Sequence, residues 1–471
     1  MLRYEYHNLL ASKQMHSNLP QEKLQEYAPL VKNAHNEIMA ERKADILGFY
    51  ALPDCSTKHI DNFIANLNPA FDTMLVLGIG GSALGNNALY SALKTEAELP
   101  RKLFVYDNVD PVFLYEILSQ INLNTTIVNV ITKSGTTAET MAGYMIVADI
   151  IKRKFPQDYQ KRIIITTDKE KGFLRQVINQ EGYSGFTVPD NVGGRFSVLS
   201  DVGLLSSAFT GIDLKALLQG AKDMREICLN PDIWENPAYL NGLIHFLYYR
   251  QGKNISVMMP YSNSLYALAD WYRQLWAESL GKRKDIKGRE IYVGQTPVKA
   301  LGTTDQHSQV QLYTEGPNDK VFTFITVEHF NHDYSIPNLH PDREEVNYLG
   351  GRKLSELLNA ERFATEIALS KAMRPNCNIV FPQIDEYHLG QFIMLYEIQT
   401  VFTGKLLRIN PLDQPGVEAG KIATYALMNK KGYEQERAEI EKYKQEHSSL
   451  AAEQRPPVSM GARRSAIFKT L

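Results

Sequence analysis

The chain has 471 residues, with 51 Lys and Arg against 53 Asp and Glu, a formal net charge of −2. At about 150 residues per domain this length predicts two or three domains, and the near-neutral balance argues against nucleic acid as a partner. A hydrophobic share of 44% with 22% charged residues excludes a disordered chain, and three scattered cysteines argue against a disulfide framework.

No run approaches the roughly 18 apolar residues of a membrane helix. The opening Met1-Leu2-Arg3-Tyr4-Glu5 carries mixed charge and no apolar core, so no signal peptide is visible. The expectation is a soluble, cytoplasmic, multidomain protein in a reducing compartment.

Residues 1–50 place Leu24, Tyr27, Leu30 and Val31 at helical spacing and read as a helical leader lying against the first domain. Short apolar runs then alternate with helix-like segments. Strands are predicted at Thr73–Leu77, Lys102–Tyr106, Thr126–Ile131 and Arg162–Thr166. Continuously apolar strands of this kind suit a parallel sheet covered on both faces. A helical patch at Asp213–Cys228 separates them from further strand candidates at Asn254–Met259, Glu290–Val293 and Val321–Thr326. Two α/β units in series are the natural reading. From Lys430 the chain is rich in Glu, Lys, Gln and Arg and reads as a solvated helix with a basic tail.

Thr73–Leu77 runs directly into Gly78-Ile79-Gly80-Gly81-Ser82-Ala83-Leu84-Gly85. A strand, a glycine-rich turn and a helix start bring backbone N–H groups onto an anion, with the Ser82 hydroxyl as a further donor. Gly78, Gly80 and Ala83 also fit a dinucleotide fingerprint, with Asp107 in the ribose position. A tight turn that needs glycine only for its backbone is the third reading. The second turn, Thr132-Lys133-Ser134-Gly135-Thr136-Thr137, sets four hydroxyls and one ammonium behind another strand. A phosphate dianion is held by such donors, although capping hydroxyls in an ordinary turn give the same sequence. The pair together favours a phosphorylated small molecule over a nicotinamide cofactor.

Four further segments carry groups suited to chemistry. Arg195 stands behind Gly193-Gly194 and cannot lose its charge near neutral pH; it suits a developing oxyanion, although taken alone an arginine there reads first as a surface side chain. Leu265–Leu280 reads as a helix stopped by Gly281, with Asp270, Gln274 and Glu278 on one stripe, either a solvated face or a carboxylate base beside an amide. His307 lies in a polar loop, where it is a proton shuttle or an exposed side chain. Lys421, early in a helix that follows Asp413-Gln414-Pro415-Gly416, opposes the helix dipole, which hints at function. Glu328-His329-Phe330-Asn331-His332-Asp333 lacks metal-ligand spacing, because His329 and His332 project to opposite faces of a strand.

Taken in order, GIGGSALG, TKSGTT, GGRFSVLSDVGLL, QLWAESLGK, TTDQHSQ and DQPGVEAGK, from Gly78 to Lys421, resemble the glucose-6-phosphate isomerase family in its shorter bacterial-type form. The resemblance implies two sugar-isomerase (SIS) domains, each a parallel-sheet αβα sandwich. The expected boundaries are 1–50 for the leader, 51–225 and 226–429 for the domains, and 430–471 for the C-terminal helix and tail. It implies a homodimer that interconverts glucose 6-phosphate and fructose 6-phosphate with no cofactor and no metal. By matched position, Ser82, Thr132, Lys133, Ser134 and Thr137 hold the phosphate and Gln274 lies on the substrate. Glu278 moves the proton between C2 and C1, Arg195 stabilises the enediolate, and His307 with Lys421 assists ring opening. In this family the histidine reaches into the partner's site. Two positions depart from the family pattern: Thr132 stands where serine is usual, and Ala83 replaces a larger residue.

Overall fold

The computed structural model describes residues 1–13, 15 and 18–453, with side chains as far as 447. One compact unit comprises Met1–Leu412 and a second begins at Asp413.

In chain order the strands of the first unit are β1 (Arg3–Glu5), β2 (Thr73–Leu77), β3 (Lys102–Tyr106), β4 (Thr126–Ile131), β5 (Ile163–Thr167), β6 (Ser184–Thr187), β7 (Ile255–Pro260), β8 (Lys282–Lys284), β9 (Glu290–Val293), β10 (Thr296–Lys299), β11 (Lys320–His329) and β12 (Asn376–Gln383). The first sheet has the order β3-β2-β4-β5-β6 with every pair parallel. The chain leaves β2 toward β3 on one side and returns to β4 on the other. This reversal opens a crevice at the carboxyl ends of β2 and β4, where open α/β sheets bind ligands. Both hydroxyl- and glycine-rich turns follow those two strands.

The second sheet has the order β1-β12-β11-β7-β10, parallel except for β1, which runs antiparallel to β12. Successive residues explain how the two sheets share an interior. Met74 and Val76 of β2 join the same core as Met258 of β7 and Val321, Ile325 and Val327 of β11. Their alternates, Leu75 and Leu77 on one sheet and Val257, Met259, Phe322 and Phe324 on the other, fill separate cores on the outer faces. With period-2 alternation both faces of each sheet are apolar, which is why the strands read as continuous hydrophobic runs.

Three local expectations are corrected. The leader is not wholly helical, since β1 pairs onto the second sheet, and its helix Ala28–Lys43 buries Val31, Ala34 and Ile38 against the Glu386–Leu406 helix that follows β12. Leu24 and Val31 sit on two helices separated at Tyr27. Glu290–Val293 is a strand, but it pairs antiparallel with β8 in a two-stranded ribbon outside the second sheet. The helix at 213–228 forms as Leu214–Ile227, with the Asp213 carboxylate accepting from the Lys215 and Ala216 N–H groups as its N-cap.

In the second unit, Pro415–Val417 forms one 3-10 turn, followed by helices Glu418–Leu427 and Glu434–Glu453. The solvated helix expected from residue 430 falls within the last of these, and the basic tail lies outside the described residues.

Candidate active site

The helix Tyr266–Leu280 positions the carboxylate. Leu268, Tyr272, Leu275 and Trp276 are buried along one face, and the Tyr272 hydroxyl meets Ser256 of β7 at 2.8 Å. The helix therefore runs back along its sheet, from the carboxyl edge of β7 to the amino edge. Asp270, near its start, is claimed by Lys299 at 3.1 Å and Arg273 at 2.6 Å. Gln274 and Glu278 continue the stripe, and the Gln274 amide donates to Glu278 Oε2 at 3.1 Å. The buried Gln274 Oε1 has no hydrogen-bond partner among the described residues. A buried acceptor left this way costs about 1–3 kcal/mol unless a ligand donor fills it.

The glycine turn comes up against this stripe. Gly80 has φ +58°, a left-handed conformation that glycine adopts freely, and a Cβ there would stand 2.9 Å from Gln274 Nε2. Gly81 lies against the other glycine pair: a Cβ on it would be 2.1 Å from the Gly194 carbonyl carbon and oxygen and 2.7 Å from Arg195 N. Backbone thus packs on backbone, and this contact explains why position 81 is glycine. Ser82 closes the turn, half-buried.

Arg195 is 3% exposed, which removes the surface reading. Its Nε donates to Ser279 Oγ at 2.6 Å and its Nη2 to the Pro411 carbonyl at 2.5 Å. Its Nη1 stands 3.7 Å from Glu278 Oε2. A fixed positive charge, a carboxylate and an amide with a spare acceptor therefore meet beside the glycine turn.

In the second turn, the Thr132 and Thr137 hydroxyls are 2.7 Å apart, and Ser134 Oγ lies 3.4 Å from the first and 3.3 Å from the second. Thr137 is also the residue before helix Ala138–Lys154, whose free N–H groups and dipole add positive character. Gly135, at φ +66°, lets the turn close. The Lys133 ammonium donates to the carbonyls of Asp190 (2.7 Å) and Val192 (3.2 Å), so it ties the cradle to the loop leading into Gly193.

The other two expected residues lie on other elements. His307 is exposed at the end of the 3-10 turn Thr304–His307, in the loop after β10. Neighbouring groups hold that loop: Asp305 accepts from the Leu301 N–H at 2.7 Å, and the Tyr261 hydroxyl donates to Gln306 at 2.8 Å. Lys421 belongs to the second unit, in the first turn of Glu418–Leu427, where its ammonium pairs with Glu418 at 2.8 Å. Of the segment weighed as a metal site, Glu328 pairs with Arg3 and His332 lies 3.3 Å from the Thr95 carbonyl. Among the described residues no three His, Cys, Asp or Glu side chains gather to hold a metal ion, and no helix is long and apolar enough to cross a membrane. Sequence reasoning passed over Ser279, Lys282 and Pro411. The only signal for the first two is their place beside Glu278 in Glu278-Ser279-Leu280-Gly281-Lys282.

The phosphoglucose isomerase family model matches residues 63–449. A glucose-6-phosphate isomerase from Carboxydothermus hydrogenoformans is 44% identical over 456 residues, covering 94% of this chain and 98% of its own. One from Rubrobacter xylanophilus is 42% identical over 444 residues, covering 91% and 98%. Among solved structures, a hypothetical protein of Thermus thermophilus superposes with TM-score 0.82 at 35% identity, covering 91% of this chain and all of that one. The crystal structure of a glucose-6-phosphate isomerase from Chlamydia trachomatis shares the fold at TM-score 0.78 and 22% identity, covering 94% and 91%. The chain belongs to the phosphoglucose isomerase family.

Proposed function

We propose that this protein is an aldose–ketose isomerase that interconverts glucose 6-phosphate and fructose 6-phosphate, a step of glycolysis and gluconeogenesis, in the cytoplasm. The observation that carries the reading is the meeting of Glu278, Gln274 and Arg195 at the glycine turn, next to the crevice that holds the hydroxyl cradle.

The phosphate is held by Ser82 and by the Thr132, Ser134 and Thr137 hydroxyls, with the Lys133 charge behind them. His307, with Lys421, moves the proton that opens the sugar ring, giving the C1 aldehyde and the C5 hydroxyl. Glu278 then takes the C2 proton, and the electron pair passes into the C1 carbonyl to give a cis-enediolate. Arg195 balances that charge, fixed in place before it develops. Gln274 Oε1 accepts from a substrate hydroxyl. Return of the same proton to C1, with the O2 proton passed to O1, gives the ketose, so atoms and electrons balance without a cofactor. One carboxylate poised over two adjacent carbons is sufficient for this chemistry.

The reading includes a homodimer in which His307 serves the partner's site. Two observations support it. Glu278 stands twelve residues beyond Tyr266 on its helix, roughly 18 Å along the axis at 1.5 Å per residue, whereas the His307 loop lies at the carboxyl edge of the sheet where that helix begins. That same edge carries exposed apolar side chains, Tyr334 and Leu339 at 74% and Tyr348 at 67%, which suit a subunit contact.

The test is conversion of fructose 6-phosphate to glucose 6-phosphate, read by a coupled dehydrogenase with and without EDTA, for the wild type and Glu278→Gln. Robust turnover, unaffected by EDTA and lost in Glu278→Gln with sugar-phosphate binding retained, is expected. Full activity in that variant removes Glu278 as the base.

A further inference from the structure

Ser279, immediately after Glu278, has no part in the chemistry above, yet its side chain is fully buried and its Oγ takes the Nε–H of Arg195 at 2.6 Å. The same guanidinium is held at a second point by the Pro411 carbonyl at 2.5 Å, and Nη1 stands 3.7 Å from Glu278. From the start of β8, buried Lys282 donates to the carbonyls of Glu278 and Ser279 at the end of the helix, each at 2.8 Å. The last turn carrying the carboxylate is therefore capped by a cation within the fold, which keeps its backbone from fraying.

An arginine and a carboxylate this close, if free to rotate, form a two-pronged pair with parallel N–H···O bonds. That pair would occupy the oxygens the base needs and neutralise the arginine before any enediolate charge appears. Acceptors on Nε and on Nη2 hold the guanidinium in an orientation where Nη1 faces Glu278 at more than hydrogen-bond distance.

We infer that Ser279 is a positioning residue that acts through Arg195, holding the guanidinium turned so that its charge serves the reacting oxygen and does not close a two-pronged pair on Glu278. This rests on the reading of Glu278 as the base and Arg195 as its electrostatic partner.

The test is a kinetic cycle on the intact protein: Ser279→Ala, Ser279→Cys, Ser279→Thr, Arg195→Lys and the Ser279→Ala/Arg195→Lys double variant. Affinity for glucitol 6-phosphate, which has no carbonyl, is measured alongside thermal unfolding. Loss of one hydrogen bond to a charged group predicts that kcat in Ser279→Ala falls about 10- to 100-fold. KM and glucitol 6-phosphate affinity stay within about 2-fold, as expected of an interaction used in the transition state. Ser279→Cys, which keeps the volume with a weak acceptor, shows the same loss without a cavity. Ser279→Thr restores most of kcat through its hydroxyl even where the added methyl lowers Tm. The double variant is no slower than Arg195→Lys alone, because both changes remove one interaction.

Wild-type kcat in Ser279→Ala, or losses that add in the double variant, overturns the inference. Glu278→Gln in the same series separates the two levels. If it turns over normally, the base assignment and this inference fall together; if it is inactive while Ser279→Ala is fast, only the positioning role falls.

Discussion

The contact between Gly81 and Gly194-Arg195 gives the sharpest structural prediction, because the two glycines are not equivalent. A Cβ added to Gly81 would lie 2.1 Å from the Gly194 carbonyl, whereas one added to Gly194 would meet only Gly81 Cα at 3.9 Å. Ordinary carbon contacts sit at about 3.5–4.0 Å, so Gly81→Ala must part the two segments by more than about 1 Å. Both partners are backbone, so no side chain can swing aside. The glycine turn and Arg195 separate, and misplacement of that size costs about 100-fold in rate. Overpacking adds roughly 1–3 kcal/mol of lost stability. The assay is kcat/KM for fructose 6-phosphate with a thermal melt in parallel. Gly81→Ala is expected to lose about two orders of magnitude and Gly194→Ala to stay within a few-fold of wild type. Equal losses in the two variants, or an unimpaired Gly81→Ala, would refute the reasoning.

Co-expression of Glu278→Gln and His307→Ala chains, each inactive alone, should restore about a quarter of wild-type activity, since half the dimers are mixed and each has one intact site; no recovery places both residues in one subunit's site. Thr132→Val removes one cradle hydroxyl with little change of volume, and KM should rise about 10-fold or more while kcat changes little, by analogy with hydrogen bonds to charged groups; an unchanged KM takes Thr132 out of phosphate binding. Burial lowers the His245 imidazole to about 4, against about 6.5 in the unfolded chain. Between those pH values the unfolded chain binds the extra proton, so stability is full above pH about 6.5 and falls toward pH 4 by up to about 1.4 kcal/mol per unit. In His245→Phe, urea melts at about pH 5 and about pH 7 should differ less than in wild type; the same difference in both proteins would show that His245 does not cause it.

Much of the first sheet was legible because β2, β4 and β5 are buried on both faces, and an unbroken apolar run leaves little ambiguity. β1 was not: Arg3-Tyr4-Glu5 has no strand pattern of its own, and only its pairing with Ile379 and its neighbours makes it one. β12 was hidden by Asn376, Asn378 and Pro382, polar or turn-like residues whose demands are met by distant partners such as Asn8 and Glu5. Within the site, Gln274 and Glu278 could be paired from spacing alone, since residues four apart on a helix share a face. The burial of Arg195 could not, because it depends on Ser279 and Pro411, far along the chain. Lys133 was legible as a charge next to hydroxyls, but its tie to the Asp190 and Val192 carbonyls is set by the approach of another loop.

The shared core between the two sheets has a consequence for how substrate enters. The inner faces of β2 and of β7 and β11 drain into one continuous apolar interior, so a hinge between the two halves would expose that interior to water. Opening even a few hundred Å² would cost several kcal/mol at about 25 cal/mol per Å². The Gly80 turn from one half and the Gln274–Glu278 stripe from the other are therefore held at a set spacing before any sugar arrives. A site built this way is a preformed socket, whose two walls already meet at Gly80 and Gln274.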